Sequence, residues 1–119
     1  MFRLLITGSR TWVDEKAIEE QFQLVYARYG HQVTLVSGAC KNGADAICEA
    51  IAKYLYWEVE THPADWNTYG KSAGFKRNAQ MVELGADACL AFIKDSSRGA
   101  SHTAELAEAA GIPTKRVLA

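Results

Sequence analysis

Short apolar runs alternate with longer amphipathic ones along this chain. Near-continuous hydrophobic stretches occupy residues 2–7, 33–37, 57–61 and 88–93, and a further short strand is predicted at 114–118. Lengths of that order suit strands, and the absence of strict polar alternation predicts burial on both faces, as in a parallel sheet. The intervening segments carry apolar residues at helical spacing. Helices are predicted over 14–28, with Ile18, Phe22 and Val25 on one face; over 44–55, with Ala44, Ile47, Ile51 and Leu55; over 72–84, with Phe75, Ala79 and Val82 toward the sheet; and over 103–110. Asp14 reads as an N-cap, and Gly30 and Gly111 as stops. Residues 62–70 read as a loop.

Strand alternating with helix predicts an α/β domain, a Rossmann-like five-stranded parallel sheet with helices on both faces. The expected strand order is 3-2-1-4-5, with the switch point between strands one and four. The 119 residues suit one such domain, with no linker, repeat or low-complexity tract.

Composition narrows the function classes. A hydrophobic fraction of 49% supports one real core, and 23% charged residues is ordinary. The net charge of −1 argues against a non-specific nucleic-acid partner, which carries a basic footprint, but leaves room for a local basic pocket. Three cysteines, Cys40, Cys48 and Cys89, form no CxxC, so a reducing, cytoplasmic compartment is expected. Cys48 and Cys89 lie in apolar runs and read as core residues, while Cys40 lies in a loop beside the candidate pocket. The N-terminal FRLLIT reads as a strand rather than a signal peptide, and no apolar stretch reaches membrane-spanning length. His62 has no second ligand at metal spacing, so neither a metal nor a cofactor is expected.

In a sheet of this order a ligand sits past the carboxyl ends of the strands. After strand one stand Gly8, Ser9 and Arg10: a glycine for close backbone approach, a hydroxyl, and a planar cationic fork suited to phosphate. A tight turn with a solvated arginine is the bland alternative. After strand two, Ser37 and Gly38 are assigned to the ligand in a Gly-flanked loop opening a helix, where free N–H groups favour an anion. Asp45 reads instead as a partner of the helix dipole. After strand three, Trp66 offers a stacking face and Asp65 a partner for ribose hydroxyls, or the two merely pin a surface loop. After strand four, Ser97, Arg98, Gly99, Ser101, His102 and Thr103 read as a phosphate cradle, an N-cap by Ser101 or Thr103, or both. Arg77 and Asn78 lie beside the apolar stripe of the third helix, with Arg77 at the pocket rim or solvated.

The stretches ITGSR at 6–10, SGACKNGADAICEAIA at 37–52, PADW at 63–66, GKSAGFKRNAQMVELGAD at 70–87 and SRGASHT at 97–103 together resemble the SLOG superfamily, shared by the DNA-processing protein A and LOG groups, and within it the YspA-like branch. The resemblance implies a Rossmann-like domain binding a nucleotide or a derivative, such as an ADP-ribose-like or cyclic nucleotide. LOG enzymes are similar in an arginine followed four residues later by methionine, here Arg77 and Met81, and in the pattern PGGxGTxxE, of which Gly99 and Glu105 match on 97–105. By that resemblance Arg77 and Glu105 are the catalytic pair of a phosphoribohydrolase that releases a base from a nucleoside 5′-monophosphate; on chemical grounds, His102 is the group expected to assist proton transfer to the leaving base. Relatives of this fold pair through helices, so a homodimer is expected, with Tyr54, Tyr56 and Trp57 as interface or packing residues.

Overall fold

Backbone polarity in a buried apolar run is satisfied only by neighbouring strands, and the five runs satisfy it together. The computed structural model describes residues 1–119. The strands are β1 (Phe2–Gly8), β2 (Val33–Ser37), β3 (Glu58–Thr61), β4 (Ala88–Ile93) and β5 (Thr114–Leu118). They pair in parallel throughout, in the order β3-β2-β1-β4-β5. The order is the expected one, with the switch point between β1 and β4. The helices are α1 (Glu15–Tyr29), α2 (Ala44–Tyr54), α3 (Trp66–Tyr69), α4 (Ala73–Leu84) and α5 (Arg98–Ala109).

The two faces of β1 carry different cores, because side chains alternate along a strand. Leu4 and Ile6 join Leu35, Phe92, Ile18, Phe22, Cys48 and Trp57 under α1 and α2. Leu5 joins Val36 and Cys89 under Met81 and Val82 of α4 and Ala107 of α5. A smaller cluster of Ala91, Ile93, Ala100 and Ala104 seats the start of α5 on β4. Asp14 caps α1, its side chain accepting from the Ala17 amide at 3.1 Å.

Four sequence expectations shift. The buried face of α2 is Ala44, Cys48 and Ala52, small residues that let the helix lie close to the sheet. Ile47, Ile51 and Leu55 sit half-buried at the edge of that core. The inward face of α4 is Ala73, Asn78, Met81 and Val82, whereas Phe75 and Ala79 are exposed. Helix α5 starts at Arg98, five residues earlier than predicted, so Ser101 and Thr103 lie inside it and neither caps it. Residues 66–69, read as loop, form α3, capped by Asp65 through the Thr68 amide. Trp57 is core, its indole N–H donating to Gly30 O at 2.8 Å, while Tyr54 and Tyr56 are exposed.

Gly43 is the point where α2 meets the turn after β1. Its φ is +72°, and a Cβ there would press into the backbone of Ser9 and Arg10. Gly111 shares the positive φ, at +79°, but has open space around it. Gly111→Ala is therefore expected to lose only the left-handed penalty of about 1 kcal/mol. Gly43→Ala should lose roughly 3 kcal/mol or more, because its φ/ψ of +72°/−145° is a region occupied essentially by glycine alone and overpacking adds to that strain. Urea unfolding of the two variants separates the terms, and equal losses would refute the close approach.

Candidate functional site

A cleft of about 440 Å³ opens beyond the carboxyl ends of β1 and β4. Five segments wall it: the turn after β1, the loop from β2 into α2, Trp66, the inward face of α4, and the turn from β4 into the start of α5. Of the residues singled out from the sequence, Gly8, Ser9, Arg10, Gly38, Trp66, Arg77, Asn78, Ser97 and Gly99 line it.

Ser9 builds the floor rather than offering a free hydroxyl. It is 3% exposed, and its Oγ donates to Lys94 O at 3.1 Å while accepting from Lys94 N at 2.8 Å. Its amide donates to Phe92 O, and its carbonyl accepts from the amides of Trp12 and Ala44. One residue thus joins β1, β4 and the first turn of α2, with its hydroxyl and amide donors both committed within the protein.

Arg77 clamps two loops. Its Nη1 donates to Gly38 O and, at 3.3 Å, to His62 O, and its Nε donates to Asn78 Oδ1 at 2.7 Å. Gly38 makes this possible, since a Cβ there would lie 2.7 Å from Nη1 and 2.8 Å from Cζ. Burial lowers the Arg77 pKa from its ordinary value, against the attraction of Asp45. The guanidinium keeps further N–H donors beyond these bonds.

Two aromatic rings, Trp66 and Phe75, stand about half-exposed on the cleft wall. The Arg10 guanidinium lies 5.7 Å from the Trp66 ring centroid, a cation–π distance. Phe75 meets His102 edge-on at 4.9 Å, and His102 Nδ1 is buried without a hydrogen-bond partner. Ser97 opens α5 without a side-chain cap bond, which leaves the first amides of the helix without a side-chain acceptor, and Gly99 and Ala100 of that turn line the cleft.

Other expected residues stand elsewhere. Ser37 is fully buried, donating to Glu49 at 2.8 Å, and Asp65 is occupied in capping α3. Thr103 is fully buried, its hydroxyl turned back to Gly99 O at 3.1 Å. Arg98, Ser101, His102 and Glu105 lie on α5 outside the lining. Glu105 is exposed, and its charge acts on Arg116 of β5. Arg77 and Glu105 are therefore not brought together in the cleft.

Sequence reasoning missed Lys71, Lys94 and Asp45, all of which line it. Lys94 was detectable in principle, as the first residue past a central strand. Asp45 had been assigned to the helix dipole alone. It is 6% exposed, with Oδ2 accepting from Cys40 N at 3.2 Å. Burial raises its pKa from 3.8 to about 6, opposed by the Cys40 hydrogen bond and by Arg77 and Arg10, and reinforced by Glu49. The cleft gathers the cations Arg10, Lys71, Arg77 and Lys94 against Asp45 and an exposed Asp95, in a chain whose net charge is −1. No group of three or more His, Cys, Asp or Glu residues is arranged to hold a metal ion.

The raised carboxyl sets the sign of a pH effect on folding. Its contribution is present in full below pH 3.8 and is lost as pH rises through about 6. Asp45→Asn removes the ionisation while keeping an acceptor for Cys40 N. Relative to that variant, the wild-type chain is expected to lose about 3 kcal/mol of unfolding free energy between pH 3.5 and pH 7.5. Denaturant titrations at the two pH values measure it, and a constant difference would contradict the buried-carboxyl account.

No helix is long and apolar enough to cross a membrane. Among curated proteins the chain is 40% identical to the Gene 61 protein of Mycobacterium phage D29, over 95% of this chain and 94% of that protein. No solved structure matches it. Residues 2–69, which contain β1 through α3 and with them the Ser9 junction, Gly38, Asp45 and Trp66, match the YspA, cpYpsA-related SLOG family, and the chain belongs to that family.

Proposed function

We propose that the cleft binds a nucleotide or a nucleotide-derived anion such as an ADP-ribose-like molecule. SLOG membership supports a nucleotide-related binding domain in general terms. The observation that carries the reading is the concentration of four cationic side chains, beside an uncapped helix start, in one cleft of a chain with net charge −1. Phosphate oxygens fit the α5 amides and the remaining N–H donors of Arg77 and Arg10. A planar base fits the faces of Trp66 and Phe75. The cleft volume falls in the range of small-molecule sites, about 300–1,000 Å³.

Gly99 supports the phosphate end. It is the second residue of α5, in the first turn, where glycine costs less than the roughly 1 kcal/mol of a helix interior. No protein atom stands within 4 Å of the Cβ it lacks, so packing does not require glycine. In this reading the phosphate approaches the helix backbone at that open position. Gly99→Ala is expected to leave stability unchanged or raised by less than about 1 kcal/mol while weakening nucleotide binding at least about tenfold. Thermal unfolding and calorimetry against a panel of nucleoside mono- and diphosphates, cyclic nucleotides and ADP-ribose test both halves. Silence across the whole panel would refute the binding function, and unchanged affinity in the variant would refute the placement of the phosphate.

Hydrolysis of a nucleoside 5′-monophosphate is the second reading, favoured by the position of Arg77 in the cleft. It asks for a carboxylate at the ribose, and Glu105 stands outside the lining. Chromatography for free base after incubation with nucleoside monophosphates tests it. Release that is lost in both Arg77→Ala and Glu105→Ala supports the pair, and release unchanged in both removes it.

A further inference from the structure

Within the basic cleft, Asp45 is the buried carboxylate, whereas Asp95 is exposed at the rim. Its two oxygens differ. Oδ2 is held by the Cys40 amide of the loop between β2 and α2, and no protein donor reaches Oδ1. Positive charge faces it from two other elements, Arg10 of the turn after β1 and Arg77 of α4. The other titratable groups beside it are Cys48 and Glu49 on its own helix and Cys40 in the loop. The carboxylate is thus the internal counter-ion at the place where an incoming anion would pair with Arg10 and Arg77.

We propose that Asp45 contacts the ligand as a neutral acid, donating its proton from Oδ1 to an anionic oxygen, so that binding an anion takes up one proton from solution. The inference rests on the cleft being an anion site, as proposed above. Two like charges sharing a buried space cannot both stay ionised at low cost, and the group that is easier to neutralise takes the proton. A phosphodiester or sulfate oxygen holds its charge at neutral pH, so the proton goes to the carboxyl. Burial has already moved that carboxyl to about 6, close to the range in which the exchange is inexpensive. No covalent step is involved: one solvent proton neutralises the carboxylate, and the acid donates one hydrogen bond. A carboxylic acid kept neutral by its surroundings is a strong donor to an anionic oxygen.

The test uses the full chain and two probes of fixed charge, inorganic sulfate and ADP-ribose, followed by titration calorimetry between pH 5.5 and pH 7.5. Wild-type affinity should fall on the order of twentyfold over that interval, as expected for a site that binds only when one group of pKa near 6 is protonated. At pH 7.5, buffers of different ionisation heat should report uptake approaching one proton per anion. Asp45→Asn, which carries an amide donor and no charge, should flatten the affinity profile to within about threefold. A wild-type profile without pH dependence, or without proton uptake at pH 7.5, overturns the proposal with no variant needed. A folded Asp45→Asn protein that keeps the wild-type slope also overturns it, because the proton then belongs to another group. Absence of binding by either probe at every pH overturns the anion-site reading itself, and this inference with it.

Discussion

The closure at the switch point is the constraint on which the remaining geometry depends. In an open parallel sheet the chain leaves β1 and β4 toward opposite faces, and a crevice opens between the two exits. Here the exits are tied by Ser9, whose hydroxyl bonds both the carbonyl and the amide of Lys94. Its carbonyl also receives the Ala44 amide, fixing the first turn of α2 against the same point. Gly43 permits that contact, and Gly8 lets Ala44 come near, because a Cβ at Gly8 would collide with the Ala44 side chain. Small residues at 8, 43 and 44 therefore set how closely the loops converge, and that convergence sets the width of the cleft.

From this junction the electrostatics follow. Bringing β1, β2 and β4 exits together places Arg10, Lys94 and the inward face of α4 around one space, so charge that is balanced over the chain is unbalanced locally. Arg77 and Asp45 are both partly or fully withdrawn from water, which moves the arginine pKa down and the carboxyl pKa up. Each is also favoured in its charged form by the other, and in water-poor surroundings that mutual dependence is stronger than at a surface. The ligand-free cleft holds opposite charges that satisfy one another, and an anion entering it changes that balance rather than filling neutral space.

What was legible in the sequence divides along physical lines. The strands and their order were legible because buried parallel strands need near-continuous apolar runs, and β1, β2 and β4 have them. The inward face of α4 was misread because the rule that apolar residues point inward fails where a helix lines a polar cleft. Asn78 is buried at 6% exposure, and Phe75 is 44% exposed at the cleft wall. The same failure hid Asp45, whose first-turn position suits a helix dipole as well as a pocket. The Ser9 hydroxyl was identified as functional from its position, but only the fold shows that Lys94, 85 residues away, occupies it. Helix α3 was missed since four residues carry too little periodicity to register.

The start of α5 decides what chemistry the resemblance to LOG enzymes can carry. Glycine-rich stretches resist helix formation, so a pattern with several glycines favours an extended loop before its glutamate. In this chain Arg98 and Ser101 stand where that pattern has glycine, Gly99 keeps it, and the helix begins at Arg98. Seven residues of helix at 1.5 Å each then carry Glu105 about 10 Å along the axis from Arg98. Rotation adds to the displacement: six residues past Gly99, which lines the cleft, the direction has turned by about 240°, which is about 120° the other way round. Glu105 accordingly emerges in solvent on the side of Arg116, whereas Thr103 and Ala104 face the sheet. The glutamate of the pattern is thus kept in the sequence, while its carboxylate stands outside the cleft lining. The acids that line the cleft are instead Asp45, buried at the start of α2, and Asp95, exposed after β4.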